Sequence, residues 1–352
     1  MNPEGSRVPV RLEGRSYDVL IGPGVRHELA GVVHALGARR AAVVSARPAE
    51  WVPDAGVETL LLPAMDGEPD KTLATVQALC GEFARFGLTR SDVVVSCGGG
   101  TTTDVVGLAA ALYHRGVPVV HLPTSLLAQV DAGVGGKTGV NLDEGKNLVG
   151  TYWQPSAVLC DTDYLSTLPE RELRNGLGEI ARCHFIGAPD LRGLSLAEQI
   201  TASLTLKASV VSADERDTGL RHILNYGHTL GHALEIATDF ALRHGEAVAI
   251  GTVFAGQLAY ALGRIDRARA EEHREVVEYY GLPSALPEGV GADVLIVLMR
   301  HDKKAVDGLS FALDGPEGAE LVPNVPPEVV AVELAAMPRA RMAELVRDTA
   351  AP

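Results

Sequence analysis

Residues 221–246 read RHILNYGHTLGHALEIATDFALRHGE, and three histidines, His228, His232 and His244, stand among the apolar residues of this stretch. The first two lie four residues apart, so on a helix they share one face and point toward one pocket. Neutral imidazole is the commonest side-chain metal ligand, and a catalytic zinc takes three protein ligands and keeps one position open. The stretch therefore predicts a metal site, although a pair of core or surface histidines would have the same spacing.

The composition is that of a soluble globular protein with room for two domains. The chain has 352 residues, of which 46% are hydrophobic and 22% are charged, and a chain of this length can bury two separate cores. Its formal net charge of -14 argues against a nucleic acid or an anionic membrane as a partner, because both bind basic surfaces. An anionic substrate must therefore be bound by lysines and arginines gathered locally.

The sequence carries no signal for export or membrane insertion. No apolar run follows a basic leader, and none approaches the roughly eighteen apolar residues of a membrane helix. We therefore expect neither a signal peptide nor a membrane span. The expected location is the cytoplasm. The four cysteines lack CxxC spacing, which in a reducing compartment favours small buried side chains over disulfides. They are Cys80, Cys97, Cys160 and Cys183.

Strands and helices alternate through the first half of the chain. The pattern predicts, in chain order, a strand pair over 7–21, a helix over 25–36, buried strands over 38–46 and 57–63, a helix over 71–86 and a strand over 91–100. Such alternation implies a parallel α/β sheet. Beyond Leu168 the spacing is helical almost throughout, apart from a strand pair near 309–313 and 319–323. The domain boundary is therefore expected near Leu168.

Three glycines, Gly98, Gly99 and Gly100, follow the apolar run Val93-Val94-Val95 and precede a segment with helical spacing from Val105 to Tyr113. A glycine-rich turn between a strand and a helix lets backbone amides approach a pyrophosphate near the helix N-terminus. The GxGxxG fingerprint is not matched. The turn is thus compatible with a dinucleotide site and also with an ordinary tight turn.

A second glycine-rich segment, residues 117–150, reads VPVVHLPTSLLAQVDAGVGGKTGVNLDEGKNLVG and carries Lys137, Lys146 and Asn147. Lysines flanked by glycines in an apolar context are poor candidates for solvated surface charge and good candidates for contacts to phosphate or carboxylate. The segment therefore indicates an anionic ligand. The alternative is that both lysines extend from a loop into solvent.

Several motifs together resemble the dehydroquinate synthase family of sugar-phosphate cyclases. They are GGGTTTD, YHRG, LPTSLLAQVDAGVGGKTGVN, GKNLVG, YLSTLPERELRNGLGE, DERDTGLRHILNYGHTLGHALE, RHGEAVAIG and DKK, in the family's order and spacing. The resemblance implies a Rossmann-like NAD-binding α/β domain over residues 1–168 and a mostly α-helical metal- and substrate-binding domain over 169–352. It further implies an active site in the cleft between them, a homodimer, and zinc, with Co²⁺ as a possible substitute.

Matched residue by residue, the resemblance makes Glu179, His228 and His244 the zinc ligands, with His232 facing the substrate, whereas the spacing alone pairs His228 with His232. The other residues that it assigns to the substrate are Asp131, Lys137, Asn147, Lys207, Arg221, Asn225, one of Lys303 and Lys304, and Arg115, which would reach the neighbouring subunit's site. Arg221 with Lys207 suits a carboxylate. Lys137, Asn225, His232 and the pair Lys303-Lys304 would hold a phosphate.

The resemblance also assigns a set of residues to the cofactor: Glu68, Lys71, Gly98, Gly99, Gly100, Asp104, Thr124, Ser125, Asp131 and Lys146. One departure falls at Ala46, where the family usually carries an aspartate that binds the adenosine ribose. The neighbouring Arg47 raises the alternative of NADP, but NAD is favoured.

The implied reaction is the closure of a 3-deoxy-heptulosonate 7-phosphate to a dehydroquinate-type carbocycle with loss of phosphate. It proceeds by transient oxidation with NAD, β-elimination, re-reduction and intramolecular aldol closure. Cyclases of the superfamily that take sedoheptulose 7-phosphate or glucose 6-phosphate have substrates without a carboxylate. Retention of Lys207, Arg221 and Asn225 therefore favours a carboxylated substrate over those, and the lysine and arginine set disfavours an iron-type alcohol dehydrogenase. The intact glutamate and histidine set argues against a non-catalytic binding module.

A second departure from the family lies at Arg182, three residues after Glu179, where plain dehydroquinate synthases usually carry a lysine. Arginine is larger, planar and always charged, so the exchange is not conservative beside a substrate hydroxyl. Two explanations are open. Arg182 replaces lysine for the same substrate, or the substrate carries an amine in place of a hydroxyl, as in the aminodehydroquinate synthases of aminohydroxybenzoate antibiotic biosynthesis.

Overall fold

The computed structural model describes residues 5–64, 67–300 and 308–346. The chain forms two units: the first comprises Met1–Leu168 and Leu196–Glu215, and the second comprises Pro169–Ser195 and Arg216–Pro352. The segment 196–215 lies within the range that the sequence assigned to the second domain, and in the structure it packs with the first unit. Lys303 and Lys304 lie outside the described residues.

The first unit is built on a seven-stranded sheet of order β1-β2-β9-β6-β5-β3-β4, in which all neighbours are parallel except the antiparallel pair β1 and β2. Its strands are β1 Ser6–Val10, β2 Tyr17–Gly22, β3 Arg40–Ser45, β4 Glu58–Pro63, β5 Val93–Gly98, β6 Val119–Pro123 and β9 Ala157–Asp161, beside a separate hairpin of β7 Lys137–Leu142 and β8 Gly145–Tyr152. Its helices are α1 Leu29–Ala35, α2 Leu73–Phe86, α3 Gly100–Leu112 and α5 Leu196–Ala213.

Helices cover both faces of this sheet, which explains the unbroken apolar runs in its central strands. Along β5, Val93 and Val95 pack in one core with α1, and Val94 packs in the other with α2 and α3. The predicted buried strand over 57–63 is an exception, because β4 lies at the sheet edge and the side chain of Leu61 is 46% exposed. An apolar run therefore predicted the strand correctly and its burial wrongly.

The second unit is mostly helical, so the predicted fold class, a Rossmann-like α/β part followed by a helical part, is confirmed. The predicted strand pair near 309–323 is also present as an antiparallel ladder. The helices are α4 Glu170–Cys183, α6 His228–Ala237, α7 His244–Ala261, α8 Arg267–Tyr279, α9 Ala292–Arg300, α10 Pro327–Ala336 and α11 Met342–Leu345; the strands are β10 Leu286–Pro287, β11 Leu309–Leu313, β12 Glu320–Val325 and β13 Arg339–Ala340.

Helices α4 and α7 cross at two glycines. A methyl group on Gly178 would overlap the backbone of Gly245, and one on Gly245 would overlap the carbonyl oxygen of Asn175. Close to this crossing the buried Glu246 accepts hydrogen bonds from Arg171 and from Arg174. The contact places residue 179 of α4 next to residue 244, the first residue of α7.

Helix α6 is joined to α7 by an equally close approach. Gly227 precedes α6 with a φ of 77°, a conformation that glycine adopts without strain, and its carbonyl oxygen lies where a Cβ on Gly251 would stand. The first residue of α6, His228, is therefore held against α7 through backbone packing that admits no larger residue at either position.

The structure also describes the cysteines and the helices that were considered for membrane insertion. No disulfide joins the four cysteines, all of which belong to the described chain, and Cys97, Cys160 and Cys183 are buried while Cys80 is partly buried. Among the helices within residues 5–64, 67–300 and 308–346, none is long and apolar enough to cross a membrane.

Candidate active site

Three helices of the second unit bring together the residues that the sequence assigned to zinc. Glu179 comes from α4, His228 from the first turn of α6 and His244 from the first turn of α7. One ligand atom of each lies within 4.8 Å of the others. Glu179 Oε1 is 3.5 Å from His228 Nε2 and 3.4 Å from His244 Nε2. The fold thus brings residues that lie up to 65 positions apart in the sequence together around one carboxylate oxygen, Oε1 of Glu179.

Each histidine is oriented by a contact to its other ring nitrogen. Nδ1 of His228 lies 3.1 Å from the backbone carbonyl oxygen of Tyr226, and Nδ1 of His244 lies 3.2 Å from Oε2 of Glu235. Since both partners accept hydrogen bonds, Nδ1 carries a proton in each ring, and Nε2 is the nitrogen left to bind a metal. Both Nε2 atoms face Glu179.

The two oxygens of Glu179 have different environments. Oε2 accepts a hydrogen bond of 2.7 Å from Nε of Arg182, whereas Oε1 has no hydrogen-bond partner among the described residues. Glu179 is 1% exposed, and a buried carboxylate oxygen without a partner is costly. Two imidazole nitrogens and one unpartnered carboxylate oxygen form a donor set that suits Zn²⁺ or Co²⁺. The residues present therefore fit a divalent metal ion.

The electrostatics of the cluster also favour a cation. Burial would raise the pKa of Glu179, but the charge of Arg182, followed by those of the two histidines, holds it well below its usual range. Burial lowers the pKa of His228 to about 3, so that imidazole is neutral at pH 7. Burial also opposes a charge on His244, yet the carboxylates of Glu179 and Glu235 raise its pKa to about 10. A metal ion would take the place of the His244 proton.

His232, which the spacing argument paired with His228, lies one turn further along α6 and is exposed. Its ring centroid is 5.3 Å from that of His228 and 6.1 Å from that of His244. It can form a second group with Glu235 and His244, again within 4.8 Å. Sequence reasoning missed Glu235, although its position seven residues after His228 places both on one helix face.

Two further residues assigned to the substrate precede α6 in a 3-10 turn, Leu220–Asn225. Arg221 is 1% exposed, the largest fully buried side chain of the described chain. Asn225 donates a hydrogen bond of 3.1 Å from Nδ2 to the carbonyl oxygen of His222, which fixes the turn. A planar guanidinium can bind a carboxylate through two parallel hydrogen bonds, so Arg221 suits the assigned role of binding an anionic group.

The glycine-rich turn of the first unit lies at the carboxyl end of β5, where parallel sheets of this kind bind dinucleotides. Helix α3 begins at Gly100, earlier than the predicted Val105. A methyl group on Gly98 would overlap the side chain of Thr102. The backbone amide of Thr124 donates to the carbonyl oxygen of Gly98 at 2.9 Å, which joins the ends of β5 and β6, and Ser125 lies beside Gly99.

Other residues assigned to the cofactor gather near this turn. Lys71 forms an ion pair with Asp104, whose pKa is raised by burial despite the lysine. Glu68 accepts a hydrogen bond of 3.3 Å from Thr101 and lies 3.9 Å from Nζ of Lys146. The structure therefore places the predicted cofactor residues Glu68, Lys71, Asp104 and Lys146 around one end of α3.

The remaining assigned residues of the first unit occupy different environments. Nζ of Lys207 donates to the backbone oxygen of Asp131 at 2.6 Å and pairs with its carboxylate. Lys137 and Asn147 lie exposed on the hairpin β7–β8, as does Lys146. The three hairpin residues are thus accessible to a ligand, and their assignment to an anionic ligand stays a prediction.

Two single residues complete the set. Arg115 is exposed, with a φ of 64°, in the 3-10 turn Tyr113–Arg115. Arg47, at the end of β3, donates from Nη2 to Oγ1 of Thr167 at 2.7 Å and stacks over the ring of Trp51 at 5.6 Å. These contacts engage the guanidinium of Arg47 within its own unit, which agrees with NAD rather than NADP.

Comparison with known proteins gives two adjoining family matches. The model described as 3-dehydroquinate synthase N-terminal matches residues 61–175, and that described as 3-dehydroquinate synthase C-terminal matches residues 176–305. The chain is 74% identical over 344 residues to the protein named "Putative aminodehydroquinate synthase" of Amycolatopsis mediterranei, with 98% of both covered. It is 42% identical over 351 residues to a 3-dehydroquinate synthase of Rhodococcus opacus, with 89% of this chain and 94% of the relative covered.

Solved structures agree with these matches. A 2-deoxy-scyllo-inosose synthase complexed with carbaglucose-6-phosphate, NAD⁺ and Co²⁺ is 26% identical, with a TM-score of 0.85 over 94% of this chain and 100% of that one. The 2-epi-5-epi-valiolone synthase of Streptomyces hygroscopicus, with NAD⁺ and Zn²⁺ bound, is 32% identical, with a TM-score of 0.77 over 93% and 98% of the two chains. Both neighbours therefore hold NAD⁺ and a divalent metal ion.

Proposed function

Because the chain belongs to the 3-dehydroquinate synthase family and is an enzyme of that cyclase type, we propose a substrate of the kind that this family closes. That substrate is the 4-amino analogue of a 3-deoxy-heptulosonate 7-phosphate. The product would be an aminodehydroquinate, formed with loss of phosphate. The observation that carries the amino assignment is the guanidinium of Arg182 on Glu179. The 74% identity to a relative whose name specifies an amino product supports it.

We propose that the enzyme uses NAD and a divalent metal ion, as its structural neighbours do. Glu179, His228 and His244 would hold the metal, and the glycine turn at the end of β5 would hold the dinucleotide. When bound, NAD accepts and later returns a hydride, and the metal acts as a Lewis acid. The unpartnered Oε1 of Glu179 is the structural observation that favours a metal at this place.

The protein's own residues would bind the two ends of the substrate. Arg221, held in the turn before α6, is assigned to the carboxylate, because a guanidinium can make two parallel hydrogen bonds with it. His232 and Asn225 are assigned to the phosphate. In the first unit the ammonium of Lys207 is held by Asp131, and the resemblance assigns this lysine to a substrate carboxylate. Both ends being fixed, the reacting carbons are oriented for elimination and ring closure.

The preference for an amine follows from what Arg182 does in place of lysine. A lysine ammonium is a compact donor on a flexible stem, suited to a substrate hydroxyl. Arg182 is 2% exposed and donates from its planar guanidinium to Oε2 of Glu179. The guanidinium of Arg182 therefore points at the carboxylate of Glu179 and not at the substrate. A substrate amine is itself a hydrogen-bond donor, so it does not face a second donor from residue 182.

Exchange of Arg182 for lysine tests this role. We expect Arg182→Lys to lower the ratio of kcat/KM for the amino substrate to that for the plain heptulosonate phosphate by about tenfold, which corresponds to about 1.4 kcal/mol. Phosphate release is measured with both substrates in the presence of zinc and NAD. A cyclase of this type accumulates no NADH, whereas an alcohol dehydrogenase releases it.

Arg174 provides the matched control for that exchange. It lies on the same helix, is also buried, and donates to the carboxylate of Glu246 rather than to a proposed metal ligand. Arg174→Lys should change kcat/KM for both substrates by the same factor. An unchanged substrate ratio in Arg182→Lys, with both proteins folded, would show that Arg182 is a neutral replacement for lysine.

A further inference from the structure

His244 has a carboxylate on each side of its ring. Nε2 lies 3.4 Å from Oε1 of Glu179, and Nδ1 lies 3.2 Å from Oε2 of Glu235. Two groups capable of holding a metal ion therefore share this histidine: one with Glu179 and His228, the other with Glu235 and His232. The two carboxylates need separate roles, since one imidazole ring presents a different nitrogen to each.

The hydrogen bonds decide between the two groups. Oε2 of Glu235 already accepts the Nδ1 proton of His244, whereas Oε1 of Glu179 has no hydrogen-bond partner in the described part of the chain. Both His228 and His244 direct Nε2 toward Glu179. The metal position therefore belongs on the Nε2 side, and the carboxylate on the Nδ1 side is left to orient the ring.

Helix α6 places Glu235 for this task. Glu235 follows His228 by seven residues, close to two helical turns, so both side chains leave α6 on the same face. That face packs against α7, with Gly231 lying close to the backbone of Ala247 and Val248. Glu235 is 8% exposed, so its bond with Nδ1 is made in a setting where an unpaired carboxylate would be costly.

We propose that Glu235 is a positioning residue of the metal centre: it accepts the Nδ1 proton of His244 and so fixes the ring and tautomer that present Nε2 to the metal. This role rests on the metal site proposed above. A carboxylate on the far nitrogen of a ligating imidazole raises the basicity of the ligand and preorganises it, and loss of such a partner typically lowers metal affinity about 10- to 100-fold.

Two substitutions separate the hydrogen bond from the charge. In Glu235→Gln the amide oxygen can still accept the Nδ1 proton, so the tautomer is kept and the charge is lost, and we expect about a tenfold weaker zinc affinity. In Glu235→Ala both are lost, and we expect about a hundredfold weaker affinity. Zinc dissociation constants are measured on metal-free protein by competition with a chromophoric chelator, and the melting temperature of each metal-free protein reports on folding.

Glu272 supplies a matched control in the same unit. It lies 2.9 Å from a ring nitrogen of His184, a second glutamate–histidine contact that is separate from the metal cluster. Glu272→Gln should leave zinc affinity unchanged. The absorption spectrum of bound Co²⁺ gives an additional readout, because a changed His244 orientation alters the ligand field whereas a loss of stability alone does not.

The outcomes are distinct. Affinities that fall in the order expected, with one zinc bound per chain, support the role of Glu235. Wild-type affinity in a folded Glu235→Ala overturns it. Two zinc ions per wild-type chain, of which Glu235→Ala loses one, would make Glu235 a ligand instead and also overturn it. If the unchanged protein binds no zinc, the metal site itself fails, and the role of Glu235 fails with it.

Discussion

Replacement of Glu179 by glutamine is expected to abolish tight metal binding and to lower kcat/KM at least about a thousandfold, equivalent to about 4 kcal/mol of transition-state stabilisation. Glu179 Oε1 lies 3.4–3.5 Å from both imidazole nitrogens and has no hydrogen-bond partner within the described ranges. Glutamine keeps an oxygen for the hydrogen bond from Arg182 but supplies no anionic ligand. The fold should therefore survive while the centre loses its only carboxylate among the three proposed ligands.

Metal content and phosphate release of Glu179→Gln are measured together. Glu170→Gln, an exposed carboxylate in the first turn of the same helix, is the control and should retain both properties. Zinc affinity close to that of the unchanged protein, in a folded Glu179→Gln, would contradict the assignment of Glu179 as a ligand. Loss of activity with metal retained would restrict Glu179 to orienting Arg182.

The second large effect concerns stability, and it is expected for Gly245→Ala. The added methyl group would overlap the backbone carbonyl oxygen of Asn175, which cannot rotate away as a flexible side chain can. Overpacking costs about 1–3 kcal/mol, and a rigid backbone neighbour places this substitution at about 3 kcal/mol. Because residue 245 adjoins His244, forcing α4 and α7 apart should also weaken zinc binding.

Urea unfolding of the metal-free protein measures the stability loss, and chelator competition measures the change in zinc affinity. Gly31→Ala is the control, since Gly31 lies inside α1 with open space at its Cβ position. That substitution should leave stability unchanged or raise it by about 0.5–1 kcal/mol. Equal stability of the two variants would contradict the close crossing of α4 and α7.

The order of strands and helices could be predicted because each central strand of the first unit is buried on both faces and each helix shows one apolar face. What periodicity could not predict was position within the sheet. The run at 57–63 is as apolar as its neighbours, yet β4 pairs on one side only. The hairpin β7–β8 was not predicted either, because glycine-rich segments of this kind carry no clear period of two.

In the metal cluster, too, contacts within one helix could be predicted from the sequence and contacts between helices could not. Spacing predicted that His228 and His232 share a helix face, and they do, since both belong to α6. Spacing could not show that Glu179 of α4 and His244 of α7 approach them, because that depends on the glycine contacts between helices. The resemblance to a family supplied those two residues. Glu235 was missed because a glutamate on an amphipathic helix ordinarily faces solvent.

The measurement that tests the substrate assignment most directly is phosphate release by the unchanged protein, with zinc and NAD, on two substrates offered separately. These are the 3-deoxy-heptulosonate 7-phosphate and its 4-amino analogue. We expect a kcat/KM for the amino compound at least about tenfold above that for the plain one. Equal or greater kcat/KM on the plain compound would contradict the role given to Arg182, and release from neither would contradict the carboxylated substrate inferred from Lys207 and Arg221.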